Sequence, residues 1–435
     1  MLFVYYSCDA RFMSLYYLAE GLDEFQIGVV FAVGSITSPL ISTLVGLLAD
    51  RLTERSPSAR HWCLAACVLI GSIAFTVQAV HIPRVSRFVT MLVCKVVTSG
   101  CEGSSGILAD AITIEGLQDR KMFGQERLYG AVSWAIMHLG LGVLIDMYGR
   151  VVQNVLIIFA AILVIVVLMV IGVPASTNGR IQEEEEVSPT KKTSGLAALT
   201  NCEDLWLLLK TYFSSKCVVA FFIYAITLGY GMTIVENLLF LLFRELSASN
   251  FLCGVSVVVT VVFEIPLFCC SKWLLEKLGV PALLSIAGLC YSFRVVGYTL
   301  CPGGWFVLLF EPMHGVTIAA WSTASVELVA SITPSDFTAT GQAFLNLIRC
   351  GLGSTAGNSV GGAIIHTHGE SVCYRTSAVV VLFGLLYYRA SLLLAPQNLH
   401  APIRNDDDTL QHQDQRFQQQ KASTLPAIIG QTTDV

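Results

Sequence analysis

Ten ionisable side chains fall inside apolar stretches of this chain: Asp9, Arg11, Lys95, Glu102, Glu236, Glu264, Arg294, Glu311, Glu327 and Arg349. A charge facing hydrocarbon is costly, so such groups line a cavity or pair with one another, and they usually serve a function. The sharpest stretch is Phe310-Glu311-Pro312-Met313-His314-Gly315-Val316-Thr317. Glu311 and His314, three residues apart, project from one helix face. A proline and a glycine that loosen a helix lie beside them. A carboxylate in a dry site that meets an arginine in one state and loses it in another can take up and release a proton. Glu264, Glu311 and His314, with Arg294 or Arg349 as the switching partner, have the types for this. Glu264 and Arg294 lie on consecutive antiparallel helices, so a direct pair between them is expected, with structural glue as the plainer role.

Other side chains carry less. Glu102, Glu264, Arg294 and Arg349 sit near the centres of their segments, whereas Glu236 and Glu327 lie near ends and are expected to reach headgroups or loop water. His138 has no acid partner in sequence and reads as a packed, neutral histidine bonded to a carbonyl. His366 and His368 lack further ligands, and no metal site is expected. Of the tyrosines and tryptophans on the first, seventh and tenth segments, only Tyr230 and Trp321 lie deep enough to stack on a solute ring; the rest read as interface anchors.

The segments that carry these groups are membrane spans. The chain has 435 residues, 54% hydrophobic and 13% charged, with mean hydropathy +0.67, where soluble domains carry about 25% charged residues. A span needs about 20 apolar residues. Twelve segments qualify, at approximately 2–19, 26–49, 62–80, 86–112, 128–147, 152–173, 217–242, 251–273, 280–300, 303–330, 338–364 and 372–395. Lys and Arg concentrate in alternate loops, with Arg51, Arg55, Arg60, Arg120 and Lys121 among them, which places both termini in the cytosol. On that topology the tenth span begins at the outer face near Gly303, so Glu311 and His314 are expected to be reached first from outside. Most of the fourteen cysteines lie in apolar segments without zinc spacing and read as reduced, packed side chains.

A long loop after the sixth span, with Glu183 to Glu186 and Lys191-Lys192, divides the chain. The expected organisation is a six-helix bundle over 1–174, a cytosolic loop over 175–216 with an amphipathic helix near Leu196–Lys210, a second bundle over 217–395, and a disordered tail over 396–435. The halves echo each other. Gly28 precedes Asp50-Arg51-Leu52 by 22 residues, and Gly254 precedes Glu276-Lys277-Leu278 by 22 residues. The fifth span of each half is rich in glycine, which permits close helix approach. Repeated halves point to alternating access, with the site between them.

Gly46-Leu47-Leu48-Ala49-Asp50-Arg51-Leu52-Thr53-Glu54-Arg55 resembles the signature loop G-x-L-A-D-R-x-G-x-R of the major facilitator superfamily, with Thr53 where glycine is usual. The stretch from Phe123 to Trp134 resembles the start of the fifth helix in the nucleoside–proton symporter and lactose-permease-like branch. Arg294 with Glu311 to Thr317 resembles the group called major facilitator superfamily domain-containing protein six. The resemblance spans roughly residues 1 to 390. It implies an all-α membrane protein of twelve helices in two pseudo-symmetric bundles. It also implies a conformational latch at Gly46, Asp50, Arg51 and Arg55, in which Asp50 meets a neighbouring helix end or an arginine in the outward-facing state. It favours Arg11, Glu102, Glu311 and His314 as cavity groups, because the first, fourth, seventh and tenth helices line the cavity in this superfamily. In lactose-permease-like symporters the acid on the tenth helix follows the histidine; here Glu311 precedes His314.

The expected protein is therefore a monomeric secondary transporter in the plasma membrane or an endomembrane. It moves a small polar organic solute by alternating access, with protons, and needs no cofactor and no nucleic acid. A transporter fold turned receptor or scaffold is the alternative. No phosphate-binding loop or H-E-x-x-H run suggests an ATP-driven pump or a metalloprotease.

Overall fold

The computed structural model describes residues 2–53, 55–56, 58–116, 123–171, 202–334 and 337–394, and its regular structure is helical throughout. The first half comprises α1 (Leu2–Cys8), α2 (Met13–Ala19), α3 (Glu24–Thr53), α4 (Ala59–Val77), α5 (Arg87–Gly116), α6 (Phe123–Tyr148) and α7 (Val151–Ile171). After α8 (Cys202–Ser214), the second half comprises α9 (Lys216–Glu245), α10 (Asn250–Cys269), α11 (Ser271–Leu278), α12 (Val280–Tyr298), α13 (Gly304–Val307), α14 (Pro312–Ile332), α15 (Thr338–Asn346), a π-helical segment Leu347–Gly353, α16 (Ser354–His368) and α17 (Glu370–Leu393). Most of the expected central loop and the tail lie outside the described residues. So does the start of the expected amphipathic helix, of which α8 is the described part.

Among the described residues, 9 helical segments are long and apolar enough to cross a membrane. The remaining three expected spans are broken or charged. The first divides into α1 and α2 around Asp9 to Phe12. The fourth, α5, carries Lys95, Glu102 and Asp110. The eleventh is α15 and α16 joined by the π-helical turns that contain Arg349. This arrangement is consistent with twelve traverses. Large apolar side chains such as Leu44, Phe159 and Phe383 point outward. In a membrane that surface is stable, because helices satisfy their own backbone groups.

Within the first half α3 and α4 pack on α5, and α4 and α1 on α7; within the second, α9 packs on α16 and α17, and α12 on α14 and α17. The turns repeat. Gly149 (φ 75) reverses the chain between α6 and α7, and Gly369 (φ 82) does so between α16 and α17, the equivalent junction. The halves meet by a crossed exchange, α3 against α16 and α10 against α6. Here the glycine echo acquires its meaning. A Cβ on Gly28 of α3 would lie 2.9 Å from the Gly362 Cα on α16, and one on Gly254 of α10 would lie 2.8 Å from the Leu139 Cα on α6. The second helix of each half thus presses its backbone on the fifth helix of the other. All these contacts lie toward one end of the bundle, termed distal here, which holds Glu24, Tyr148, Asn250 and His368.

Candidate functional site

Away from that contact the halves part around a cavity of about 1120 Å³. Its wall runs from mid-bundle toward the proximal end, where Phe3, Phe268 and Cys269 line it. Both halves contribute ionisable groups: Asp9 and Arg11 from the break between α1 and α2, Lys95 and Glu102 from α5, Glu236 from α9, Glu264 from α10 and His314 from α14. The break in the first span is what turns the first two inward, since residues 9–12 leave the helical path. Lys95 Nζ donates to Asp9 Oδ1 at 3.0 Å, with both side chains buried. Arg11 is buried, and its Nη1 has no hydrogen-bond partner.

Behind His314 lies a closed polar network with no solvent exposure at Arg294 or Glu311. The Glu311 carboxylate accepts from Arg294 Nη2 at 2.9 Å, Tyr298 Oη at 2.5 Å and Thr260 Oγ1 at 2.8 Å. Arg294 also donates through Nε to the Tyr298 hydroxyl and through Nη1 to His314 Nδ1. Arginine can only donate, so His314 Nδ1 is the acceptor and its ring proton is on Nε2. A buried ion pair of this kind is stable only where further hydrogen bonds help offset its desolvation, and here Tyr298, Thr260 and His314 supply them. Pro312 at the first turn of α14 starts the helix just after Glu311 and fixes its spacing to His314.

The structure redistributes several expected roles. Arg294 pairs with Glu311 rather than with Glu264; Glu264 lines the cavity with no ion pair or hydrogen bond of its own side chain among the described residues. Glu236, expected near headgroups, lines the cavity as well. Glu311 is not on the cavity wall but one layer behind it. Arg349 and Trp321 line a second cavity of about 230 Å³ inside the second half, which Glu236 also borders. Trp321 stacks on Phe221 there, ring centroids 5.9 Å apart. Tyr230 lines neither cavity; it is buried where Gly357 of α16 approaches. Glu311 and His314, expected to be reached from the end near Gly303, lie instead beside a cavity that runs the other way.

Tyr298 was not singled out by the sequence, and Asp9 and Lys95 were singled out only as separate charges. Tyr298 sits one turn beyond Arg294, an i,i+4 relation that could have marked it. Asp9 and Lys95 are 86 residues apart and carried no pairwise signal. His138 is as expected, with Nδ1 2.9 Å from the Trp134 carbonyl. The run Gly357-Asn358-Ser359-Val360-Gly361 spells G-x-S-x-G, the pattern of a hydrolase nucleophile turn. It lies within α16, and Ser359 Oγ donates to the Thr355 carbonyl at 2.9 Å. The strand-to-helix turn that such a nucleophile needs is not there.

The two ends differ. At the distal end Asp146 of α6 accepts from the Asn250 backbone N at 3.1 Å and side chain at 2.8 Å, and from the Phe251 N at 2.8 Å, across the halves. Asn358 Nδ2 donates to Ser35 Oγ at 3.1 Å, and His366 Nδ1 lies 3.2 Å from Glu24 Oε2. At the proximal end, Asp50 is exposed and pairs with Arg60 of its own half at 2.8 Å. Arg51 and Arg55 are exposed beside it, and a Cβ on Gly46 would meet open space.

A family model described as the MFS_1 like family matches residues 1–376. The chain belongs to this major facilitator family. This facilitator is 23% identical over 399 residues to a protein of Bacillus subtilis (strain 168) named "Uncharacterized transporter YwbF", covering 89% of this chain and 90% of that one. Its fold is similar to the crystal structure of the nucleoside transporter NupG, with TM-score 0.70 and 15% identity over 91% of this chain and 97% of that one. It is also similar to a peptide transporter, POT, in complex with alafosfalin, with TM-score 0.66 and 15% identity over 90% and 92% of the two chains. The facilitator is thus an integral membrane transporter and not an enzyme.

Proposed function

We propose that this facilitator moves a small polar organic solute by alternating access and couples the movement to protons. The observation that carries the reading is the cavity between the halves, lined with ionisable groups from both and closed at the distal end. With both termini cytosolic, the distal end is the outer one and the state described is inward-facing. The latch reading fits that state: Asp50, held by Arg60 of its own half, is free of the second half while the proximal end is open. The cavity and the buried network are adjacent through His314, which belongs to both. In this state Glu311 is enclosed by Tyr298 and Thr260 and has Arg294 as its counter-ion. Reloading requires Arg294 and Tyr298 to withdraw, and rearrangement of α12 against α14 during the switch is the motion that does it. The gain or loss of an arginine is what moves a proton on or off a buried acid.

The test is uptake into proteoliposomes under an imposed pH gradient, compared with solute exchange without one. Glu311→Gln is expected to lose concentrative uptake and to keep exchange. Unchanged pH-driven uptake in that variant would sink proton coupling through Glu311.

A further inference from the structure

Several ionic groups on the cavity wall have no partner of opposite charge, and those groups describe a solute. Asp9 and Lys95 answer each other. What remains is one guanidinium, Arg11, and three carboxylates, Glu102, Glu236 and Glu264, none of which has a hydrogen-bonded or ion-paired side-chain partner among the described residues. Arg11 is 9% exposed and its Nη1 is buried. An unpaired ion or polar atom in such a place is held at a cost until something supplies a partner.

We propose that the cavity binds a small zwitterion, an amine that also carries a carboxylate. The carboxylate sits on Arg11 and the ammonium between Glu236 and Glu264. This names the solute class of the transporter reading and rests on it. Each other class leaves part of the wall unanswered. A neutral polyol offers hydroxyls to the acids but leaves their charge uncompensated. An anion satisfies Arg11 and leaves Glu236 and Glu264 without a partner. A simple cation meets the acids and leaves the Arg11 Nη1 without a partner.

The placement of these groups gives the binding a mechanical consequence. Arg11 belongs to the first half, whereas Glu236 and Glu264 belong to α9 and α10 of the second. All three line the one cavity. A zwitterion bound this way ties one half to the other through its own two charges. Either charge alone engages one half. The aromatic walls Trp134 and Phe268 flank the same space and offer faces to an ammonium group.

The test uses the full-length protein in liposomes with a panel in four charge classes. The zwitterions are the twenty proteinogenic amino acids, γ-aminobutyrate and betaine; the others are choline, succinate, and a set of hexoses and nucleosides. Uptake is read by mass spectrometry, and binding by thermal stabilisation of the purified protein. Uptake of a zwitterion is expected, with its methyl ester and its N-acetyl derivative each weaker by on the order of tenfold or more, the loss of one charge-assisted contact. Arg11→Gln is expected to bring the acid-to-ester preference toward one. If that variant does not fold, the acid, ester and acetyl comparison in the unaltered protein carries the test. Uptake of a nucleoside, a hexose, choline or succinate without any zwitterion overturns the assignment and leaves transport standing. Zwitterion binding with no flux of any probe supports the assignment and overturns transport. Neither binding nor flux of any zwitterion overturns the assignment.

Discussion

Replacing Asp146 by alanine removes a contact that exists only while the distal end is closed. The carboxylate accepts from two backbone N–H groups and one side-chain amide at the start of α10, which is the work of a helix N-cap supplied from the other half. Loss of a capping side chain costs about 0.5–2 kcal/mol. Two features place Asp146 in the lower part of that range. It is exposed, and Ser249 already accepts from Leu252 N at 3.3 Å at the same helix end. A loss of about 1 kcal/mol shifts the ratio of distal-open to distal-closed molecules by about fivefold. Asp146→Asn, which keeps an acceptor but loses the charge that favours a helix N-terminus, should shift it by less. The measurement is double electron–electron resonance in lipid nanodiscs. Labels go at Val85 and Leu300, both exposed and on distal loops of opposite halves, through a bio-orthogonal side chain because the chain has fourteen cysteines. A growing long-distance population in Asp146→Ala is expected. An unchanged distribution, or a shift to shorter distances, would refute Asp146 as a closure contact.

Other perturbations test separate parts of the account. Glu311→Leu strands Arg294 in a buried site and should lower the melting point in detergent by the equivalent of about 3–5 kcal/mol; Arg294→Met with Glu311→Leu should recover most of it. Equal stability of the single and double variants would show that the pair is not held as an ion pair. Gly254→Val places a Cβ 2.6 Å from the His138 carbonyl oxygen and a larger side chain beyond it, so it should hold the distal end open and slow exchange; wild-type exchange rates would contradict that closure. Asp50→Asn removes an exposed pair worth about 1 kcal/mol or less. It should leave the melting point nearly unchanged while slowing turnover, and unaltered turnover would reduce Asp50 to an ordinary charged turn.

The sequence shows the twelve segments because a bilayer demands long apolar runs. It also shows the ionisable groups, because they are rare in such runs. It does not show which face of each helix meets which neighbour. In a soluble helix polar residues mark the outer face, but here lipid-facing and core-facing residues are both apolar, so α3 and α14 carry no periodic signal of orientation. That is why Arg294 was matched with Glu264 on the adjoining span when its partner is Glu311. It is also why Glu236 looked peripheral: it lies near the end of the expected span 217–242, but the helix runs on to Glu245 and the cavity reaches Glu236. The glycine echo was visible as a repeat. Its physical content, second helix against opposite fifth helix, depends on contacts hundreds of residues apart. The break at Asp9 to Phe12 falls where Asp9 and Arg11 interrupt the apolar run, whereas the π-helical turns at Arg349 carried no such mark.

Solute-dependent proton entry is the measurement closest to the central claim. Proteoliposomes loaded with a pH-sensitive dye would receive the zwitterion panel from outside, with wild type and Glu311→Gln compared. Acidification of the lumen on addition of a transported solute, absent in Glu311→Gln while exchange persists, is the expected result. Accumulation of solute by the wild type with no change in luminal pH, and with no dependence on an imposed gradient, would contradict the account.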